Sequence, residues 1–123
     1  MIQAKDLRIG NYVVFSEDGT IFKVIEISEK GLGIENRQEI TWIEMETFDP
    51  IPLTEEVLLK CGFEKKGKRI FKGWFYLWEE NGLIVFALAE MHDEIGCYLS
   101  IKSVHQLQNL YWCLCGEELE INL

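Results

Sequence analysis

Apolar and polar positions alternate at short range through the first third of the chain, the period of small half-buried strands. Tyr12-Val13-Val14-Phe15 is a β-branched and aromatic run, Asp18-Gly19 marks a tight turn, and Thr20 to Ile27 reads as the next strand. Leu32 to Glu35 and Glu39 to Ile43 then predict a hairpin around Asn36-Arg37-Gln38, with one helical turn over Glu44-Met45-Glu46-Thr47. Pro50 and Pro52 hold the following segment extended, because each proline steers the residue before it away from helical geometry. Four short strands, a helical turn and a closing extended segment is the order of elements in an SH3-like β-barrel, expected here over residues 1–53.

The texture changes at Leu53-Thr54. Thr54 is a good N-cap, Glu55 and Glu56 fall where the helix dipole favours acids, and Gly62 is placed to stop a helix over Glu55 to Cys61. Leu53 and Leu58 hold the hydrophobic-staple positions across its start. Arg69 to Trp78 and Leu83 to Ala89 flank Glu79-Glu80-Asn81-Gly82, in which Asn-Gly suits a type I′ turn. Ile95 to Ile101 follows the loop Glu90-Met91-His92-Asp93-Glu94 and completes a three-stranded antiparallel meander. Both faces of that meander are apolar, so the two helices are expected on one face and the barrel, or a second copy of the chain, on the other.

The closing helix has the plainest ends. Ser103-Val104-His105-Gln106 reads as a capping box and Gly116 as a C-terminal stop. Val104, Leu107, Leu110, Tyr111 and Leu114 recur at spacings of three and four, the stripe of a half-buried helix. Leu119, Ile121 and Leu123 alternate with polar residues and suggest a last short strand. The expected fold class is therefore α+β: a small SH3-like β-barrel over 1–53, followed by an α-β-β-β-α unit with an antiparallel meander over 54–123.

Composition and charge sharpen this picture. With 48% hydrophobic residues in 123, the chain has material for a core and is not expected to be disordered. A net charge of −9 repels phosphate backbones and anionic membranes, yet Lys60, Lys65, Lys66, Lys68, Arg69 and Lys72 gather in one segment against Glu64 alone. The start of the chain is polar and no apolar run approaches a membrane span, which predicts a cytoplasmic protein with no membrane contact. Cys61, Cys97, Cys113 and Cys115 fit packed, reduced thiols there better than a disulfide framework.

Candidate chemistry is sparse. Cys113 and Cys115 point about 200° apart on a helix and do not grip one ion, so no metal and no cofactor is expected. His105 and Cys113 are eight residues apart, roughly 12 Å along a helix, beyond the reach of a base and its nucleophile. Phosphate loops, nucleophile elbows and zincin helices are missing, and no catalytic residue is assigned. Scattered acids give no dense face for mimicry of DNA. Two surfaces remain. His105, Gln108, Asn109 and Trp112 form an amide-aromatic helix face of the composition that partner proteins use, set against ordinary packing on the barrel. Lys65, Lys66, Lys68, Arg69 and Lys72, interleaved with aromatics up to Trp78, offer single-stranded nucleic acid a second reading, the weaker one because Lys65-Lys66-Gly67-Lys68 reads as a solvated turn and the aromatics begin only where the strand enters the core.

Three separated motifs carry a resemblance. Leu7-Arg8-Ile9-Gly10-Asn11-Tyr12-Val13, the stretch Pro50-Ile51-Pro52-Leu53-Thr54-Glu55-Glu56-Val57-Leu58-Leu59-Lys60-Cys61-Gly62-Phe63, and Val104-His105-Gln106-Leu107-Gln108-Asn109-Leu110-Tyr111 with Gly116-Glu117-Glu118-Leu119 occur in this order. Together they resemble a family of small uncharacterised proteins of Bacteroides-type gut bacteria and their phages or mobile elements. The resemblance implies a mobile-element context and brings no activity or ligand. The function expected is a non-enzymatic protein-interaction module with a partner of unknown identity; nucleic-acid binding and a homo-oligomeric structural role are the alternatives.

Overall fold

In the computed structural model, residues 2–36, 39–73, 75–80, 83–88 and 99–123 are described. Expectations that rest on Trp74, the Asn81-Gly82 turn, the Glu90 to Glu94 loop and Cys97 lie outside them. Among these residues the architecture is α+β, with two antiparallel sheets and two α-helices.

The first sheet contains β1 (Tyr12–Phe15), β2 (Ile21–Ile27), β3 (Gly31–Asn36), β4 (Glu39–Glu44) and β5 (Phe48–Asp49), in the order β4-β3-β2-β1-β5. A 3-10 turn over Met45–Thr47 joins β4 to β5, where one helical turn is expected from sequence. Among the described residues the sheet is open, since β4 and β5 are its edges and no pairing joins them into a closed barrel. A register shift between Val24 and Glu26 in β2 inserts one residue and bends the strand. Val13, Val24, Leu32, Ile34, Met45 and Phe48 form the core under this sheet.

α1 (Glu55–Lys60) starts at Thr54, whose hydroxyl accepts the Val57 N–H, and ends before Gly62 at φ 87°. The second sheet then runs β6 (Glu64–Lys66), β7 (Arg69–Lys72), β8 (Phe75–Glu80), β9 (Leu83–Leu88) and β10 (Leu99–Ile101), each strand beside its sequence neighbour. Among the described residues, five strands thus stand where three were expected. The stretch from Arg69 to Trp78 breaks at Gly73, whose φ of 61° turns the chain, and Lys65-Lys66-Gly67-Lys68 belongs to a β6–β7 hairpin rather than a bare solvated turn.

α2 (Val104–Cys115) closes the fold. Ser103 accepts the Gln106 N–H and Gly116 ends the helix at φ 69°, as expected; Gln106, however, turns back to accept the Lys102 N–H at 2.8 Å instead of completing a capping box. α1 and α2 cover one face of the second sheet, packing Leu58, Cys61, Val104, Leu107 and Tyr111 against Ile70, Phe75, Leu77, Ile84, Phe86 and Ile101. No strand follows α2: Leu119 is buried in that core, but residues 117–123 are irregular.

One strand serves both cores. Successive residues of β1 point to opposite faces, so Val13 and Phe15 enter the first core while Tyr12 and Val14 pack on the second. That is why Tyr12-Val13-Val14-Phe15 is apolar without alternation. A bridge between Pro52 and Ser103 and the backbone bond from Val104 N to Ile51 O tie the linker to the start of α2.

Candidate interaction surfaces

The amide face of α2 is turned inward. Gln108 is 1% exposed, and its carboxamide grips the entry to β1 at two points: Oε1 accepts the Tyr12 N–H at 2.9 Å and Nε2 donates to the Gly10 carbonyl at 3.0 Å. It thereby supplies the donor and acceptor that a neighbouring strand would have offered. Asn11, fully buried, donates to Asn109 Oδ1 at 2.8 Å and accepts the Arg8 N–H at 2.6 Å, while Asn109 Nδ2 donates to the Asp6 carbonyl at 3.0 Å. His105 is also buried, with Nδ1 3.2 Å from Ser103 Oγ. Burial, opposed by Asp6, pulls its pKa below the ordinary 6.5 and keeps the ring neutral.

This corrects the expected surface at His105, Gln108, Asn109 and Trp112. The buried stripe of α2 rotates toward His105 and Gln108, leaving Leu114 exposed where burial was expected. The N-terminal segment packs there because a carboxamide satisfies backbone groups in place, which an aliphatic side chain cannot do. Of the four residues, Trp112 alone is exposed, at 42%, and the Arg8 guanidinium lies 5.1 Å from its ring centroid. Arg8 is clamped in turn by Glu118, which accepts from both terminal nitrogens, and that bond holds the Glu118 carboxyl below its ordinary pKa. Arg8 thus joins Trp112 and the C-terminal tail to the segment before β1.

Around His105, a groove of about 710 Å³ runs between the N-terminal segment and the start of α2, lined by Lys5, Asp6, Pro52, Lys102 and Gln106 among others. Its only buried titratable ring is committed to Ser103, and among the described residues no group of His, Cys, Asp or Glu is arranged to hold a metal ion. No helix among the described residues is long and apolar enough to cross a membrane.

The cysteines differ. Cys61 is fully buried and burial pushes its thiol pKa up, Cys115 is half-buried, and Cys113 is exposed, contrary to the packing expected of it.

The basic cluster divides between two faces. Register places Lys66 beside Arg69, and Phe71 beside Tyr76, on the face of the second sheet away from the helices, with Arg69 5.9 Å from the Tyr76 centroid. Lys65 and Lys72 lie on the other side, where Lys65 bonds Glu55 at 2.8 Å and Lys72 sits 5.6 Å from the Tyr111 ring. Lys68 is exposed in the turn.

A further surface was not singled out by sequence. On β4, Ile40 and Trp42 are 55% and 53% exposed and, two residues apart, share one face. Ile43, on the opposite face, packs into the first core. Register sets Ile40 beside Glu35, Trp42 beside Gly33 and Glu44 beside Gly31, with Glu26 beyond Gly33. A Cβ on Gly33 would meet Glu26 Cβ at 2.9 Å, so the stem of Glu26 lies across the glycine. Two large apolar side chains rimmed by Glu26, Glu35 and Glu44 therefore stand on an edge strand. The signal in the sequence was Ile40-Thr41-Trp42-Ile43, apolar on both faces where a half-buried strand shows one. Compared with known proteins, the chain matches no family model, no curated protein and no solved structure.

Proposed function

We propose that this protein is a non-enzymatic protein-interaction module whose contact surface is the outward face of β4. The observation that carries the reading is the exposure of Ile40 and Trp42 side by side. Tryptophan beside an aliphatic residue supplies much contact area, and acidic residues around it form the polar rim usual at protein interfaces. Residues 1–53 are read as an SH3-like unit, supported by the strand order, the bulge in β2 and the 3-10 turn before β5. Residues 54–123 form the supporting unit. The three-motif resemblance supports a mobile-element origin and, with it, a cytoplasmic setting.

The test is affinity capture from lysate of the encoding cell by the wild-type chain and by Trp42→Ala. The reading predicts a protein retained by the first and lost by the second; identical capture by both would remove β4 from the account. Sedimentation above 14.4 kDa for the isolated chain would favour the homo-oligomeric alternative.

Single-stranded nucleic acid is the second reading, favoured by the shared face of Lys66, Arg69, Phe71 and Tyr76. It predicts oligonucleotide binding that falls steeply with salt and with charge reversal at Lys66 and Arg69.

A further inference from the structure

Strand β4 pairs along its whole length with β3, from Glu39 opposite Asn36 to Glu44 opposite Gly31, and among the described residues no strand flanks its other side. An edge strand presents backbone donors and acceptors to any extended chain of matching length. Charge selects among such chains. Glu35 and Glu44 neighbour Ile40 and Trp42 in the register, Glu26 lies one strand further in, and residues 1–53 carry ten acids against five bases. A second copy of β4 would bring its own acidic surroundings alongside these carboxylates. An acidic segment would be repelled, and a purely apolar one would leave the rim unmatched.

Resting on the interaction reading above, we infer that β4 takes up an extended basic segment of a partner protein as an added sixth strand, with apolar side chains beside Ile40 and Trp42, and Lys or Arg beside Glu44 and reaching across β4 toward Glu35. Because side chains alternate along a strand, the matching segment places its apolar residues two apart, bracketed on the same face by bases. Backbone hydrogen bonds supply sequence-independent affinity, Trp42 the anchor, and the carboxylates the sign preference.

The probe is a capped heptapeptide with lysine at its first and seventh positions, valine at the third and fifth, and threonine elsewhere. Its counterpart carries glutamate in place of lysine. Each is titrated into the full-length ¹⁵N-labelled chain, with amide shifts and hydrogen exchange followed at Glu39–Glu44. The lysine peptide is expected to slow exchange in β4, to weaken as salt rises, and to lose about thirtyfold in affinity in the Trp42→Ala variant, the size of an interface hot spot. The glutamate peptide is expected not to bind.

Equal binding of both peptides at Trp42 without slowed exchange in β4 would overturn strand addition while leaving the surface intact as a contact site. Binding by neither overturns the inference, and the Trp42-dependent capture described above then decides the broader reading separately. Slowed exchange in β4 of the free chain, together with a sedimenting mass of a dimer, would assign the edge to a second copy and likewise overturn it.

Discussion

Gln108 offers the sharpest perturbation. Its carboxamide satisfies the Tyr12 N–H and the Gly10 carbonyl at 2.9 and 3.0 Å with almost no access to water. Gln108→Leu keeps most of the volume and removes both bonds, with the longer 3.4 Å one from Asn11 Nδ2, leaving two inward-facing backbone groups without partners. An unsatisfied group of this kind costs about 1–3 kcal/mol, so the pair gives roughly 3 kcal/mol, a large share of the ~5–15 kcal/mol that holds a domain. With a urea m-value of about 1–3 kcal/mol/M, the midpoint should fall by ~1–3 M. Gln108→Glu adds a chemical check. The ionised carboxylate still accepts from Tyr12 but has no proton for Gly10 O, so the variant should recover stability as pH falls and its carboxyl gains one. Gln106→Ala, exposed on the same helix, should cost no more than about 1 kcal/mol. A Gln108→Leu loss under about 0.5 kcal/mol, the range of ordinary surface changes, would refute the reasoning.

Three further outcomes follow from the same geometry. Gly31→Ala should destabilise by about 1–3 kcal/mol in urea unfolding, because the added Cβ would lie 2.6 Å from the Ile43 carbonyl oxygen and push β3 from β4. His105, held neutral by burial, should leave stability complete above its ordinary pKa of 6.5 and let it decline as pH falls below, since the unfolded chain takes up the proton first; melting temperatures at pH 7.5 and 5.5 should converge in His105→Gln. Peptide mapping after brief thiol labelling should find Cys113 modified and Cys61 untouched until the chain unfolds.

Helix ends were legible because their chemistry is local. Thr54, Ser103, Gly62 and Gly116 act on backbone groups within four residues, and each does so as its sequence context predicts. The role of Gln108 was not legible, since a glutamine on a helix reads as solvated unless the segment it faces is known. A hint was present: no residue of α2 from Val104 to Cys115 is charged, which is unusual for a helix with a wet face. The basic segment misled for the reverse reason. Its lysines suggested a solvated turn, whereas glycines at positions 67 and 73 allow two reversals and pairing with β8 fixes the strands. Register then sends alternate bases to opposite faces, which no count of charges reveals. The β4 surface emerged only when Ile43 was seen to occupy the core side, leaving Ile40 and Trp42 outside.

The fold depends on which polar and apolar groups meet water: the Gln108 amide of α2 inside, the β4 tryptophan outside. Relaxation enhancement by a soluble paramagnetic agent reads both in one ¹⁵N spectrum. The Gln108 side-chain NH₂ should stay sharp while the Trp42 indole N–H broadens strongly; a broadened Gln108 amide beside a sharp Trp42 indole would contradict the account.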